Sequence, residues 1–237
     1  MFFLLGRLVR AIVDTIFPST CVACGAYGPW FCTNCQRSIR VDLTLRCAVC
    51  FKPSPHPQPC ASTLNGIVVT GSYSHSGLAA AVQGLKYRYI AALAEPLGNR
   101  VAQAIEPLTA KNPAVLIPVP LHKRRERERG YNQSALVAMT VAKRLEVSAA
   151  PNLVRRKRYT GTQTKLDKDE RQRNLANAFV VNGAVDTETT YIIIDDVCTT
   201  GATLSAIAGI LRNAGAAKII ACVVASDALL YRERRIG

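Results

Sequence analysis

The apolar residues of this chain follow two kinds of spacing from residue 63 onward. Apolar runs are typical of buried strands and predict them at 114–120, 191–194 and 219–225, and residues 67–73 resemble a short strand. Between these runs, apolar residues recur at helical spacing and predict helices near 78–89, 93–105, 134–145 and 203–213. Because strands that alternate with helices usually lie parallel, the pattern predicts an α/β fold, a parallel sheet flanked by helices.

The first 20 residues are predicted to form an amphipathic helix. Their apolar residues recur every four positions, at Leu4, Leu8, Ile12 and Ile16. Arg7, Arg10 and Asp14 interrupt this run, so it falls short of the roughly 20 apolar residues that a transmembrane helix needs. The two arginines also follow the first apolar residues instead of preceding them, which does not fit a secretory signal. We therefore expect this helix to pack on the protein. We also expect the chain to have no transmembrane segment and to be cytoplasmic.

The composition excludes a disordered or fibrous chain. Of the 237 residues, 49% are hydrophobic, and the 15 glycines and 12 prolines show no period. That length suffices for one full-sized domain and a small one. The formal net charge is +14, and the segment 123–173 carries 15 Lys or Arg against 6 Asp or Glu. Such a basic segment attracts either a polyphosphate ligand or a nucleic-acid backbone.

The cysteines mark a separate module near the N-terminus. Seven of the nine cysteines lie between Cys21 and Cys60, in a stretch rich in Pro, Ser and Thr that has no long periodic segment. Such a stretch buries too little apolar surface to fold without cross-links. We therefore predict a small Cys-rich domain over residues 21–62, followed by the main domain over 63–237.

The spacing of the first four cysteines indicates a structural zinc ion. Cys21 and Cys24 form one Cys-x2-Cys pair, and Cys32 and Cys35 form a second, which is how two thiolate pairs reach one tetrahedral Zn²⁺. Disulfides are the alternative, but they require an oxidising compartment, and seven cysteines would leave one unpaired. Cys47, Cys50 and Cys60 begin a second set, for which His56 is a candidate nitrogen ligand, so one zinc or two remain open.

Residues 191–203 carry the motif with the clearest chemistry. Asp195 and Asp196 follow an apolar strand, and a loop of small residues then opens a helix with Thr199, Thr200, Gly201, Ala202 and Thr203. The N–H groups of a helix start bind a phosphate monoester, and carboxylates accept hydrogen bonds from vicinal sugar hydroxyls. A capped helix alone would explain one threonine but not two adjacent acids. The motif therefore predicts a site for a ribose 5-phosphate.

Two further segments are candidates for the same site. Residues 117–124 form a second strand end that runs into a basic loop. Such a loop suits a pyrophosphate, which would bind at Leu121, His122 and Lys123. The alternative is that these charged residues are simply solvated. Residues 155–173 form a polar segment longer than ordinary loops, a candidate lid that includes Thr160 and Gln163, with a plain connector as the alternative.

The segment from Asp195 to Thr203 resembles the phosphoribosyl pyrophosphate signature of type I phosphoribosyltransferases. Together with other segments, it resembles the ComF family, the amidophosphoribosyltransferase-like competence proteins. The further matching pieces are Val119-Pro120-Leu121, Arg129-Gly130-Tyr131-Asn132-Gln133, Thr160 with Gln163, Arg173-Asn174-Leu175, and Ala178-Phe179. The resemblance covers nearly the whole chain. It implies a type I phosphoribosyltransferase fold with a hood at about 63–90, preceded by a zinc ribbon whose usual last cysteine is replaced here by Thr63.

The resemblance also implies a function. Asp195 and Asp196 would hold the ribose hydroxyls as the catalytic pair, residues 199–203 would bind the 5-phosphate, and Mg²⁺ would be shared with the pyrophosphate. The segment 155–173 would shield the reaction from water. Because members of the family are associated with natural transformation, single-stranded DNA and competence or DNA-processing proteins are expected partners. The alternatives are a DNA-binding accessory protein with a regulatory or inactive phosphoribosyl site, and a module that binds the ligand without chemistry.

Overall fold

The computed structural model describes residues 19–55, 60–110, 113–157 and 178–227. The predicted N-terminal helix lies outside these residues except for its last two positions. His56, Thr160 and Gln163 also lie outside them, as does the candidate lid beyond residue 157.

Helices and strands alternate along the described chain. The helices are α1 (Thr33–Arg37), α2 (Ser76–Tyr87), α3 (Ala94–Thr109), α4 (Lys123–Arg129), α5 (Gln133–Leu145) and α6 (Ala202–Asn213), with a 3-10 turn at Ala91–Leu93. The strands are β1 (Gly66–Val69), β2 (Ala114–Pro118), β3 (Ser148–Ala149), β4 (Val154–Arg156), β5 (Phe179–Val181), β6 (Thr190–Cys198) and β7 (Lys218–Ser226). The four strands and four helices expected from the apolar pattern are all present. The short elements α1, α4, β3, β4 and β5 were not expected.

The central sheet has the strand order β1-β7-β6-β2-β3, and every neighbouring pair is parallel. This confirms the predicted α/β architecture. Strands β4 and β5 pair with each other in a separate antiparallel ribbon. The expected hood of residues 63–90 begins with β1, which is an edge strand of the central sheet.

The core lies in two layers, one on each face of the sheet. Ile192 and Ile194 of β6 pack with apolar residues of α2, α3 and α5, whereas Tyr191 and Ile193 pack with α6 and the β4–β5 ribbon. Helices α3 and α5 approach each other closely at Gly98, where an added Cβ would come within 2.6 Å of the Thr140 Cβ. The sheet is therefore covered on both faces, as a parallel sheet requires.

The Cys-rich module is attached to the central sheet through backbone groups. Arg46 and Ile67 of β1 exchange two backbone hydrogen bonds of 2.9 and 2.8 Å, which gives the edge strand a partner. The buried Arg100 of α3 donates hydrogen bonds to the carbonyl oxygens of Ile39, Arg40 and Thr70. These contacts hold the segment after α1 against the carboxyl end of β1.

Within the described ranges, none of the helices combines the length and hydropathy that a membrane crossing requires.

Candidate functional site

The two predicted carboxylates lie at the carboxyl end of β6, but inside the strand instead of after it. The strand runs from Thr190 to Cys198, because the neighbouring strand β7 extends alongside it and pairs Asp195 with Val223. In open parallel sheets, ligands bind at this edge. The backbone on both sides of each acid is therefore held by the sheet.

Asp195 is oriented by two hydrogen bonds to one of its oxygens. The Ser134 hydroxyl of α5 donates to Asp195 Oδ1 over 2.9 Å, and the Asp196 N–H donates to the same atom over 2.9 Å. Burial, followed by the nearby charge of Asp196, raises the pKa of Asp195 to about 7, although the two hydrogen bonds and the charge of Lys86 act in the opposite direction. This carboxyl group is therefore easier to protonate than an ordinary aspartate.

Asp196 is also held through one oxygen. Lys86 of α2 places its Nζ atom 2.8 Å from Asp196 Oδ1, and the Val197 N–H donates to the same oxygen over 2.6 Å. Asp196 is buried, and its Oδ2 atom has no hydrogen-bond partner among the described residues. A buried acceptor without a partner is costly and therefore uncommon. Asp196 Oδ2 therefore keeps an acceptor capacity that the described residues do not use.

Both carboxylates make their contacts on the same side of the sheet. Adjacent residues of a regular strand point to opposite faces. Asp195 nevertheless contacts Ser134 of α5 and Asp196 contacts Lys86 of α2, two helices that pack into the same core layer. One oxygen of each carboxylate thus contacts the protein, and the second oxygen has no hydrogen bond to the described residues.

The loop after β6 has the geometry of a helix start. Gly201 has a φ of 77°, a conformation that glycine adopts without strain, and it precedes α6 as its N-cap residue. Thr199 and Thr200 are exposed, and Ala202 and Thr203 begin α6, where backbone N–H groups lack intrahelical acceptors. The Thr200 hydroxyl accepts a hydrogen bond of 3.4 Å from the Ala202 N–H. This arrangement suits a phosphate.

Cys198 lies beneath this loop as a buried thiol. Burial raises the pKa of Cys198 to about 11, so the group is a neutral thiol at physiological pH. The residue belongs to the apolar layer that contains α6.

The predicted pyrophosphate segment follows β2 and lies beside β6. The Val119 N–H donates to the Ile194 carbonyl over 2.9 Å, immediately before Asp195, and the Asn132 side chain donates to the Val119 carbonyl over 3.0 Å. Leu121 and His122 are half-buried, and Lys123 is exposed. The expected basic loop ends early, because His122 Nδ1 accepts a hydrogen bond from the Arg124 N–H and α4 begins at Lys123.

The first four cysteines converge as predicted. The sulfur atoms of Cys21, Cys24, Cys32 and Cys35 all lie within 4.8 Å of one another, and those of Cys24 and Cys32 are 3.8 Å apart. A tetrahedral zinc ion with sulfur ligands at about 2.3 Å separates those sulfurs by about 3.8 Å. Burial alone would raise the pKa of Cys21, but the N–H groups of Cys32, Ala23 and Cys24 lower it to about 6. The cluster can therefore hold a metal ion such as zinc.

Cys47, Cys50 and Cys60 form a second cluster with the same local fold. Their sulfur atoms also lie within 4.8 Å of one another. The Phe51 N–H donates to the Cys47 carbonyl over 2.9 Å, and the Gly25 N–H makes the matching 2.8 Å bond to the Cys21 carbonyl in the first cluster. Phe51 has a φ of 60°, near the 75° of Gly25. The described residues thus place three thiols at a second site that can hold a metal.

Lys86 and Ser134 belong to the site but were not predicted from the sequence. Each is a polar residue at a position that the helical pattern assigns to the buried face. Lys86 lies four residues after Val82, and Ser134 lies three before Val137. A polar residue on an apolar helix face needs a partner, and this signal could have identified both.

The chain is similar to several known proteins. Residues 132–236 match the family model described as phosphoribosyl transferase domain. DNA utilization protein YhgH of Escherichia coli is 33% identical over 217 residues, which cover 85% of this chain and 94% of that protein. Competence protein F of Haemophilus influenzae is 31% identical over 196 residues, which cover 80% of this chain and 81% of that protein. The match to a solved purine phosphoribosyltransferase from Pyrococcus horikoshii covers 53% of this chain and 72% of that chain, at 20% identity and a TM-score of 0.35.

Proposed function

The chain belongs to the ComF family of proteins with a phosphoribosyltransferase domain, and from this premise we propose that it binds phosphoribosyl pyrophosphate with Mg²⁺ at the Asp195–Asp196 edge of the sheet. Relatives named for DNA utilization and competence support a role in the uptake or use of DNA. The observation that carries the proposal is the pair of adjacent carboxylates, each with one oxygen held by the protein and one without a hydrogen bond to the described residues.

In this proposal, the two carboxylates recognise the sugar. A ribose presents two vicinal hydroxyl groups, and each donates a hydrogen bond to the remaining oxygen of one carboxylate. Ser134 and Lys86 hold the other oxygens, so the acceptors are oriented before the ligand arrives. Preorganised acceptors of this kind lower the entropic cost of binding.

The loop of residues 199–203 binds the 5-phosphate. The N–H groups at the start of α6 and the hydroxyls of Thr199 and Thr200 are the donors. The segment at Leu121, His122 and Lys123 binds the pyrophosphate from the neighbouring strand end. Mg²⁺ fits this donor set, because it prefers phosphate oxygens and needs few protein ligands, and when bound it neutralises charge on the leaving pyrophosphate.

The reaction class is pentosyl transfer to an acceptor with a nitrogen nucleophile. The nucleophile forms a bond to the anomeric carbon, gives up a proton, and the carbon–oxygen bond to pyrophosphate breaks. Asp195 and Asp196 hold the ribose ring through its hydroxyls while positive charge develops at that carbon. Their negative charge favours this transition state.

The Cys-rich module is a structural zinc domain in the same proposal. Cys21, Cys24, Cys32 and Cys35 bind one Zn²⁺, which is supported by sulfur atoms that all lie within 4.8 Å of one another. The set at Cys47, Cys50 and Cys60 is a second candidate site. Zinc would cross-link a segment that otherwise buries little apolar surface.

The experiment that tests the main proposal is calorimetric titration of phosphoribosyl pyrophosphate and Mg²⁺ into the full chain. Asp195→Asn with Asp196→Asn should abolish binding. The matched control, Glu95→Gln with Glu106→Gln, removes two exposed carboxylates from α3 and should bind like the original protein. Absence of binding by the original protein, or unchanged binding by the Asp195/Asp196 variant, refutes the proposal.

Single-stranded DNA is a second candidate ligand, favoured by the surface at the end of α2. Tyr87 and Tyr89 are 64% and 57% exposed, Arg88 lies between them, and the Arg129 guanidinium lies 5.4 Å from the Tyr87 ring centre. Exposed aromatic rings among basic residues are typical of base-stacking surfaces. Tyr87→Ala with Tyr89→Ala should weaken binding of a fluorescent oligonucleotide at low salt, whereas Tyr27→Ala, which removes a more exposed ring from the Cys-rich module, should not.

A further inference from the structure

Lys86 reaches the carboxylate pair from a helix outside the signature segment. Its Nζ atom lies 2.8 Å from Asp196 Oδ1, and only 18% of its side chain is exposed. Among the described residues, Lys86 is the cation within salt-bridge distance of this carboxylate. A buried carboxylate whose cationic partner is removed is strongly disfavoured.

The position of Lys86 is set by contacts on both sides of it in the sequence. The Tyr131 hydroxyl donates to the Leu85 carbonyl over 2.7 Å, and Arg129 stacks on the Tyr87 ring. Arg129 also donates to the Gln133 side chain over 2.9 Å, next to Ser134, which holds Asp195. The last turn of α2 is thus tied to the start of α5, which also holds the second carboxylate.

The contacts of Asp196 are divided unequally between its two oxygens. Lys86 and the Val197 N–H both contact Oδ1, whereas Oδ2 is buried without a hydrogen-bond partner among the described residues. With Oδ1 held in this way, the plane of the carboxylate is defined and Oδ2 keeps its acceptor capacity. Rotation of the side chain would break the ion pair.

We infer that Lys86 is a positioning residue for the sugar, whose ammonium group holds Asp196 so that Oδ2 accepts a hydrogen bond from a ribose hydroxyl. This inference rests on the proposed function. Lys86 acts through Asp196 and does not touch the ligand. It therefore determines how strongly the site prefers a sugar that carries both hydroxyls.

Selectivity for the sugar hydroxyls tests this inference. The probes are ribose 5-phosphate, 2-deoxyribose 5-phosphate and 3-deoxyribose 5-phosphate, titrated into the full chain. The original protein should bind ribose 5-phosphate about tenfold more tightly than the deoxy sugars, because a hydrogen bond to a charged acceptor is lost with each hydroxyl. Lys86→Met should reduce this preference to about threefold or less for at least one of them.

Two further variants separate positioning from a general loss of structure. Lys86→Arg keeps a cation beside Asp196 and should restore the preference. Lys218→Met removes an exposed lysine at the first residue of β7, the opposite end of the sheet, and should leave the preference unchanged. A Lys86→Met protein that retains the full preference for both hydroxyls overturns the inference.

A double variant keeps the test decisive if Lys86→Met does not fold. Lys86→Met with Asp196→Asn removes the cation and the buried charge together, and it should show the same sugar preference as Asp196→Asn alone. A further loss in the double variant would mean that Lys86 contacts the sugar directly, which contradicts the inference. If the original protein binds none of the three sugars, the proposed function fails, and the inference fails with it.

Discussion

Replacement of Arg100 by methionine tests how the Cys-rich module is held on the sheet. The Arg100 guanidinium donates to the carbonyl oxygens of Ile39, Arg40 and Thr70 over 2.9, 3.1 and 2.8 Å, and the residue is only 6% exposed. Burial lowers the pKa of Arg100 to about 10, so the side chain remains charged at neutral pH. Methionine retains much of the apolar stem but leaves all three carbonyl groups without this donor.

The magnitude follows from two opposing contributions. A hydrogen bond that involves a charged group contributes about 1.5–3 kcal/mol, which amounts to about 5–9 kcal/mol for three. The desolvation of a guanidinium without a carboxylate partner costs several kcal/mol and disappears in the variant. We therefore expect the free energy of unfolding to fall by about 3 kcal/mol, and Tm to fall by about 6–12 °C for a chain of this length.

Differential scanning calorimetry and urea unfolding measure this loss. Arg144→Met is the matched control, because Arg144 is exposed in the last turn of α5 and its replacement should change stability by less than about 0.5 kcal/mol. If Arg100→Met loses no more stability than Arg144→Met, the three hydrogen bonds do not hold the module on the sheet.

Three other predictions concern the metal, the carboxylate pair and the helix packing. Cys24→Ser should lower the zinc content by about one ion per chain in a spectroscopic metal assay, whereas Thr33→Ser should not; equal contents would contradict the first zinc site. Because the pKa of Asp195 is raised to about 7, the affinity of the original protein for phosphoribosyl pyrophosphate should increase between pH 6 and 8, and this increase should be larger than that of Asp195→Asn. Identical pH profiles of the original protein and Asp195→Asn would disprove this. Gly98→Ala should destabilise the protein by about 1–3 kcal/mol, whereas Gly209→Ala, where a Cβ meets nothing within 4 Å, should stabilise it by about 1 kcal/mol; thermal melts of equal Tm would refute the packing argument.

The sequence predicted the long elements of the fold because their burial is nearly complete. In β6 and β7 almost every residue is buried, so the apolar run itself marks the strand. The bounds were less predictable. The strand predicted at 191–194 extends to Cys198, because hydrogen bonds to β7 continue past the apolar residues and include Asp195. Pairing between distant strands is not visible in a local pattern.

The carboxylate pair, the loop of residues 199–203 and the first four thiols could be singled out because their residues lie close together in the sequence. Chemistry of this kind depends on spacing over a few positions, which one sequence displays directly. Lys86 and Arg100 were not predicted, because their partners lie 110 residues and up to 61 residues away in the chain. An isolated lysine or arginine has the same local appearance whether it is exposed or buried in an ion pair.

The residue pattern was thus enough to indicate which chemical groups the protein has: a parallel sheet with two acids at its edge, a helix start rich in threonine and glycine, and cysteine pairs at metal-binding spacing. The folded structure holds those groups through contacts between distant segments of the chain. It turned both carboxylates toward the same face, occupied one oxygen of each through Ser134 and Lys86, and anchored the Cys-rich module through Arg100. The physical reason is that the types and spacing of residues are local properties, whereas the orientation of a buried polar group is set by partners that only folding brings within hydrogen-bond distance.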